Sequence, residues 1–192
     1  FNRAMPAHLD IALLICAGAL APVPVAGLSP APEAGWRLVG WNDLGMHCMN
    51  SDFSELMVLP PFNNLHGQLI RRGSSPDIET STGDFEMRYF FPSNTYSAGK
   101  TNFWDYWQPW LGQPRPANVG LAGKTLDDSM APTAARDWVA VGIPIVPIDD
   151  NGKENPYPLA TIEVRRRDTG LVVARTQAVV PVSTEMSCNL CH

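Results

Sequence analysis

Short runs of alternating apolar and polar residues, each cut off by proline or glycine, limit what this chain can fold into. Phe85-Glu86-Met87-Arg88-Tyr89-Phe90-Phe91 keeps a period of two and stops at Pro92. Leu56 to Leu59 ends at Pro60-Pro61, and Leu65 to Ile70 reads as a half-buried strand. Trp36 to Trp41 predicts a first strand. Gly142 to Ile148 carries Pro144 and Pro147, which a central ladder cannot hold, so an edge strand is expected there. Tyr157 to Arg167 and Leu171 to Val182, joined by Asp168-Thr169-Gly170, predict a hairpin. About six to eight such strands with long irregular loops point to a mainly β fold, an immunoglobulin-like β-sandwich. Eighteen prolines and fifteen glycines against 17% charged residues argue the same way, and away from a helical bundle. The 192 residues, 45% of them hydrophobic, suffice for one well-cored domain.

The chain ends in Cys188-Asn189-Leu190-Cys191-His192. Two cysteines three positions apart, with a histidine directly after the second, read as a c-type haem attachment motif. Two thiols at this spacing reach two vinyl groups on one porphyrin edge, and the histidine then turns a ring nitrogen onto the iron. A structural zinc site normally needs four N or S ligands. Outside the expected leader the chain offers only Cys48, His47 and His66 besides the motif. A thioredoxin-like dithiol would open a helix, whereas this pair follows a Val-rich strand. Haem c, held by Cys188 and Cys191 with His192 as proximal ligand, is therefore the expected cofactor. A porphyrin needs an apolar pocket that five terminal residues cannot supply. Either the domain before it supplies that pocket, or the chain is the front piece of a longer polypeptide; the second is expected, with the motif as the start of a C-terminal cytochrome region.

At the other end, Ile11 to Leu20 is an apolar run too short to span a bilayer comfortably. It fits the core of a signal peptide over 1–27, with Val25-Ala26-Gly27 as small residues for cleavage. A buried apolar helix is the plainer alternative. Residues 28–35 read as a linker rich in Pro, Ala and Ser, 36–187 as the sandwich domain, and 188–192 as the haem motif. Export agrees with thioether haem, and places the protein in the periplasm or at the cell surface of a bacterium. Membrane association is expected only through an uncleaved N-terminal segment.

Between Trp41 and Asp52 the chain packs Met46-His47-Cys48-Met49 into turn-forming surroundings. His47, Met46 or Met49 is a candidate sixth ligand to the haem iron, and His66 is a second candidate on the Leu65–Ile70 run. His47 with Cys48 is a weaker alternative metal site, with copper or thiol chemistry as its use. Plain packing of Cys48 and the methionines is the bland alternative. Trp104, Trp107 and Trp110 recur at steps of three, which a helical turn would gather on one side. They form either a pocket wall or, more ordinarily, a satellite core under long loops. Gln113 to Ala135 reads as packed loop, and Asp149 to Lys153 as a plain turn in preference to a calcium loop.

Several stretches together carry a resemblance. They are Gly40-Trp41-Asn42-Asp43-Leu44-Gly45-Met46-His47-Cys48-Met49, Leu59-Pro60-Pro61-Phe62-Asn63, Gly99 to Tyr106, Gly142 to Ile145, and Glu185 to His192. In this order the chain resembles a family of large exported bacterial c-type cytochromes, often multihaem. The resemblance implies an exported cytochrome with further sequence after this point, and leaves its electron partners open.

A net charge of −5 leaves no basic stripe for nucleic acid. The expected function is electron transfer to a redox protein or an extracellular acceptor. A five-coordinate iron would make an enzyme, but no second group in the sequence commits to catalysis. A binding module whose aromatic loops grip a partner, ahead of a cytochrome region, is the alternative from another class.

Overall fold

The computed structural model describes residues 34–43, 47–49, 56–112 and 114–183, with backbone alone at 47–49, 56–57 and 110. The strands in chain order are β1 (Trp36–Asp43), β2 (His47–Met49), β3 (Leu56–Val58), β4 (Asn63–Arg71), β5 (Asp77–Glu79) and β6 (Phe85–Phe90). One helix, α1 (Phe103–Leu111), precedes β7 (Asp127–Ser129), β8 (Ala131–Pro132), β9 (Trp138–Ile143), β10 (Leu159–Arg166) and β11 (Val172–Val179). The fold is mainly β. One antiparallel sheet has the order β1-β4-β9-β8, with β5 also on β4; the second has the order β11-β10-β6-β7. A third, two-stranded ladder pairs β2 with β3.

The alternation in sequence becomes the layer structure. In β4, Asn63, Leu65, Gly67 and Leu69 are inward, while Asn64, His66, Gln68 and Ile70 are not fully covered. In β6, Phe85, Met87 and Tyr89 are inward in the same way. Leu65, Leu69, Trp138 and Ala140 of the first sheet meet Phe85, Met87, Ile162, Val164 and Val173 of the second in one cluster. That is the arrangement of a β-sandwich.

Two glycines set how closely the layers approach. Gly40 of β1 and Gly67 of β4 are cross-strand partners. A Cβ on Gly40 would lie 2.5 Å from Ile162 Cδ1, and one on Gly67 would lie 2.4 Å from Met87 Sδ. The paired glycines thus open a hollow in one sheet that Ile162 and Met87 of the other fill.

The expected edge strand over 142–148 is corrected in its bounds. The strand is β9, ending at Ile143; β8 pairs only with Trp138 and Val139, so from Ala140 onward β9 has β4 alone as neighbour and is an edge there. Pro144 ends the ladder because it has no N–H to offer, and the residues before it carry the pairing. Within β9, Val141 and Gly142 stand opposite the single residue Asn64, a bulge with Gly142 at φ +73°. The stretch 113–135, read as loop throughout, contains β7 and β8; both are too short to leave a periodic signature.

Candidate functional site

The structure brings together the surroundings of two distant motifs. Val58 of β3 pairs with His47 of β2 on one side and, in parallel, with Val182 on the other. The Ser183 N–H donates to the Val58 carbonyl at 3.2 Å, and the Val182 N–H to the Pro156 carbonyl at 2.9 Å. The β2–β3 register sets His47 opposite Val58, Cys48 opposite Met57 and Met49 opposite Leu56. Cys188 lies five positions after Ser183, a span of at most about 18 Å for any extended chain. Met46 and the motif Cys188, Cys191 and His192 lie outside the described residues, as do the side chains of His47, Cys48 and Met49. The expected leader also lies outside them.

His66, the remaining candidate ligand, is held between two carboxylates. Its Nε2 lies 2.8 Å from Asp43 Oδ2 and its Nδ1 lies 2.6 Å from Asp137 Oδ2. The register makes this geometry. His66 faces Trp41 on β1 and Val139 on β9, so Asp43 at the end of β1 and Asp137 just before β9 reach it from the two sides. The Trp41 ring stacks on the imidazole at 5.3 Å between centroids, and Thr133 Oγ1 donates to Asp137. A carboxylate only accepts hydrogen bonds, so both ring nitrogens carry protons in this arrangement. Burial alone lowers the His66 pKa, but the hydrogen bonds and charges of Asp137 and Asp43 outweigh it, and the net direction is upward. With both nitrogens committed, His66 would have to break a carboxylate contact to bind iron.

Beside it, at the turn from β3 into β4, lies a row of asparagines. Asn42 Nδ2 donates to the Asn64 carbonyl at 2.6 Å and, more weakly, to Asn63 Oδ1 at 3.4 Å. Asn64 Oδ1 accepts from the Gly142 N–H at 3.0 Å and so holds the bulge. Asn63 is wholly buried, yet its Nδ2 has no acceptor; Asp43 Oδ1 and Trp107 Nε1 are likewise without partners among the described residues. Sequence reasoning missed Asn63, and nothing in its local pattern distinguishes it from a turn asparagine.

The aromatic stretch is helix α1, with Pro109 inside it and Gly112 closing it at φ +70°. Trp104 and Trp107 stack at 5.2 Å between centroids, and Phe103 meets both edge-on. Phe103 and Trp107 are buried but stand apart from the sandwich core cluster, which makes them a satellite core. The 149–153 segment is a turn, closed by the Asp149 N–H on the Lys153 carbonyl at 2.9 Å. Its carboxylates are taken by protein donors. Lys100 Nζ meets Asp150 at 2.6 Å, and the Thr95 N–H and hydroxyl also donate to Asp150.

On the outer face of the second sheet, Glu163 is covered by Arg165 and Arg175, with Arg175 Nη2 at 2.7 Å. A hollow of about 320 Å³ beside it is lined by Arg88, Phe90 and Asp127. Arg88 is already paired to Asp127 at 2.9 Å, so the hollow presents balanced charge. Among the described residues no group of three or more His, Cys, Asp or Glu converges as a metal site, and no helix is long and apolar enough to cross a membrane. Comparison with family models, curated proteins and solved structures finds no match to this chain.

Proposed function

We propose that this chain is an exported c-type cytochrome, or the N-terminal part of a multihaem one, that binds haem covalently and transfers electrons. Cys188 and Cys191 would form the thioethers and His192 the proximal bond. The observation that carries the reading is the position of Val58, paired at once with His47 and with Val182. His47 and Val182, 135 positions apart (182 − 47), pair with the same residue of β3, and Val182 lies six positions before Cys188 (188 − 182). Val182 is thus one strand away from the backbone of His47-Cys48-Met49. The distal ligand is therefore assigned to Met46, His47 or Met49 rather than to His66, whose nitrogens are occupied. When bound, the haem supplies one-electron exchange at its iron. This chain's own part would be to hold the porphyrin through Cys188 and Cys191 and the iron through His192. The immunoglobulin-like class of the sandwich belongs to the same reading and is supported by two antiparallel sheets over one core. So do location in the periplasm or at the cell surface, and a redox protein or extracellular acceptor as partner.

The test is an alkaline pyridine haemochrome spectrum of the full chain, matured with cytochrome assembly machinery and then extracted with acid and acetone. Haem retained at one per chain in the two-thioether spectral class is expected. A folded protein with no retained haem would overturn the proposal and favour the binding module or a metal or thiol site at Met46–Met49. For the distal ligand, His47→Ala, Met46→Ala and Met49→Ala are compared with His66→Gln by the iron spin state. One of the first three should become high-spin, while His66→Gln stays low-spin.

A further inference from the structure

We infer that the free edge of β1 pairs antiparallel with the same edge of a second copy of this chain, about a two-fold axis at Gly40, whether or not haem is bound. β1 stands at one end of its sheet. The Arg72 N–H donates to the Gly35 carbonyl at 2.6 Å, and this pair continues the register that sets Trp36 opposite Arg71. In an antiparallel ladder, successive residues turn their backbone groups to alternate sides. Arg37, Val39, Trp41 and Asp43 therefore bond to β4, while Leu38, Gly40 and Asn42 turn N–H and C=O to the free side. All three are partly exposed, and among the described residues these backbone groups have no hydrogen-bond partner.

In one register this edge complements itself. Arg37 and Asp43 lie three positions either side of Gly40, and Val39 and Trp41 one position either side. An axis at Gly40 sets Arg37 opposite Asp43 of the second copy and Val39 opposite its Trp41, all on the outer face. Opposite charges and a β-branched residue against an aromatic are the favourable cross-strand pairs. Val39 and Trp41 are 48% and 38% exposed. The Asp43 side chain is 42% exposed although its Oδ2 meets His66, and Arg37 bonds only the Trp36 carbonyl, at 2.9 Å. Moving the axis to Val39 would put Arg37 against Trp41 and leave Asp43 against Gly35, with no charge pair. The other edges are less suited. β7 has three residues and β8 two, ending in Pro132. β11 is as long as β1 but holds no acidic residue to match Arg175 in any self-pairing. A closed two-fold dimer is the assembly such an edge makes.

The test is sedimentation equilibrium of the full chain from micromolar to submillimolar concentration. A single strand pair lies at the small end of interfaces, so a concentration-dependent monomer–dimer equilibrium is expected. Arg37→Glu sets carboxylates opposite each other at two symmetric places and should weaken the dimer by about tenfold or more. Arg72→Glu makes the same charge change at an exposed residue off the strand and should leave the dimer unchanged. A monomer at every concentration overturns the inference, as does a dimer that both variants weaken equally or that neither weakens. Hydrogen exchange of the unaltered chain gives a second readout that needs no variant to fold. The Leu38, Gly40 and Asn42 amides should gain protection in concentrated protein relative to dilute protein. Equal protection of these amides at both concentrations overturns the inference.

Discussion

Because both His66 nitrogens face carboxylate oxygens, at 2.8 and 2.6 Å, the stability this residue lends depends on its second proton. Its folded pKa lies above the unfolded value of about 6.5. The stabilisation is therefore complete below that value and is lost as pH rises through the folded pKa. Urea midpoints should decline from pH 6.5 upward, and His66→Gln should flatten that decline while lowering stability by about 1 to 3 kcal/mol at pH 6. A wild-type midpoint unchanged between pH 6 and 9 would rule this out. Asp137 behaves in the opposite sense. Burial raises its pKa, but Thr133 and His66 hydrogen bonds lower it further, so its contribution is present above the ordinary carboxylate range and lost in acid. The sequence offered His66 only as a candidate ligand on the Leu65–Ile70 run. Its two carboxylates come from 23 and 71 positions away, and no local pattern links them.

At the scale of elements, glycines and one buried charge decide how the strands sit. A Cβ on Gly120 would fall 1.7 Å from the Gly142 carbonyl oxygen, where backbone cannot give way as a side-chain tip can. Gly120→Ala should therefore cost more than Gly67→Ala, which meets the flexible Met87 and is expected to cost about 1 to 3 kcal/mol. Gly73→Ala, with only Ser75 N at 4.0 Å, serves as the near-neutral control in the same denaturation series. On β10, Glu163 is 2% exposed at its side chain and faces Arg175 across the strand pair. Burial raises its pKa, but the hydrogen bonds and charges of Arg175 and Arg165 pull it down on balance. Glu163→Gln should lower stability at pH 7 by about 1 to 2 kcal/mol, a modest figure because both arginines remain partly in water. Since the folded carboxylate titrates below its unfolded value, that loss should shrink as pH falls through the folded pKa; a constant difference down to pH 3 would refute the pairing. Helix α1 was legible as aromatics at steps of three. The edge position of Gly142-Ile143 was legible too, but the strand's extent was not, because prolines mark where a ladder stops and not where it begins.

For the whole molecule, the core cluster among the described residues runs from Trp36 to Val182. The Cys188→Ala/Cys191→Ala chain should then keep its β-sheet circular dichroism and a single cooperative transition; loss of both would show that the sandwich folds only around its haem. What the sequence by itself determined was local. Period-two runs and their proline stops specify mainly β structure, since alternation with a one-sided core is the cheapest way for such runs to bury apolar surface. The Cys188-Asn189-Leu190-Cys191-His192 spacing specifies its expected chemistry for the same reason, being a matter of neighbouring residues. The tertiary structure alone decided the rest. It set β3 between His47 and Val182, placed His66 between Asp43 and Asp137, and left the buried Asn63 amide without an acceptor. Each of these is a relation between residues far apart in the chain, set by strand register and sheet order, which depend on how two whole layers pack and not on any one segment's pattern.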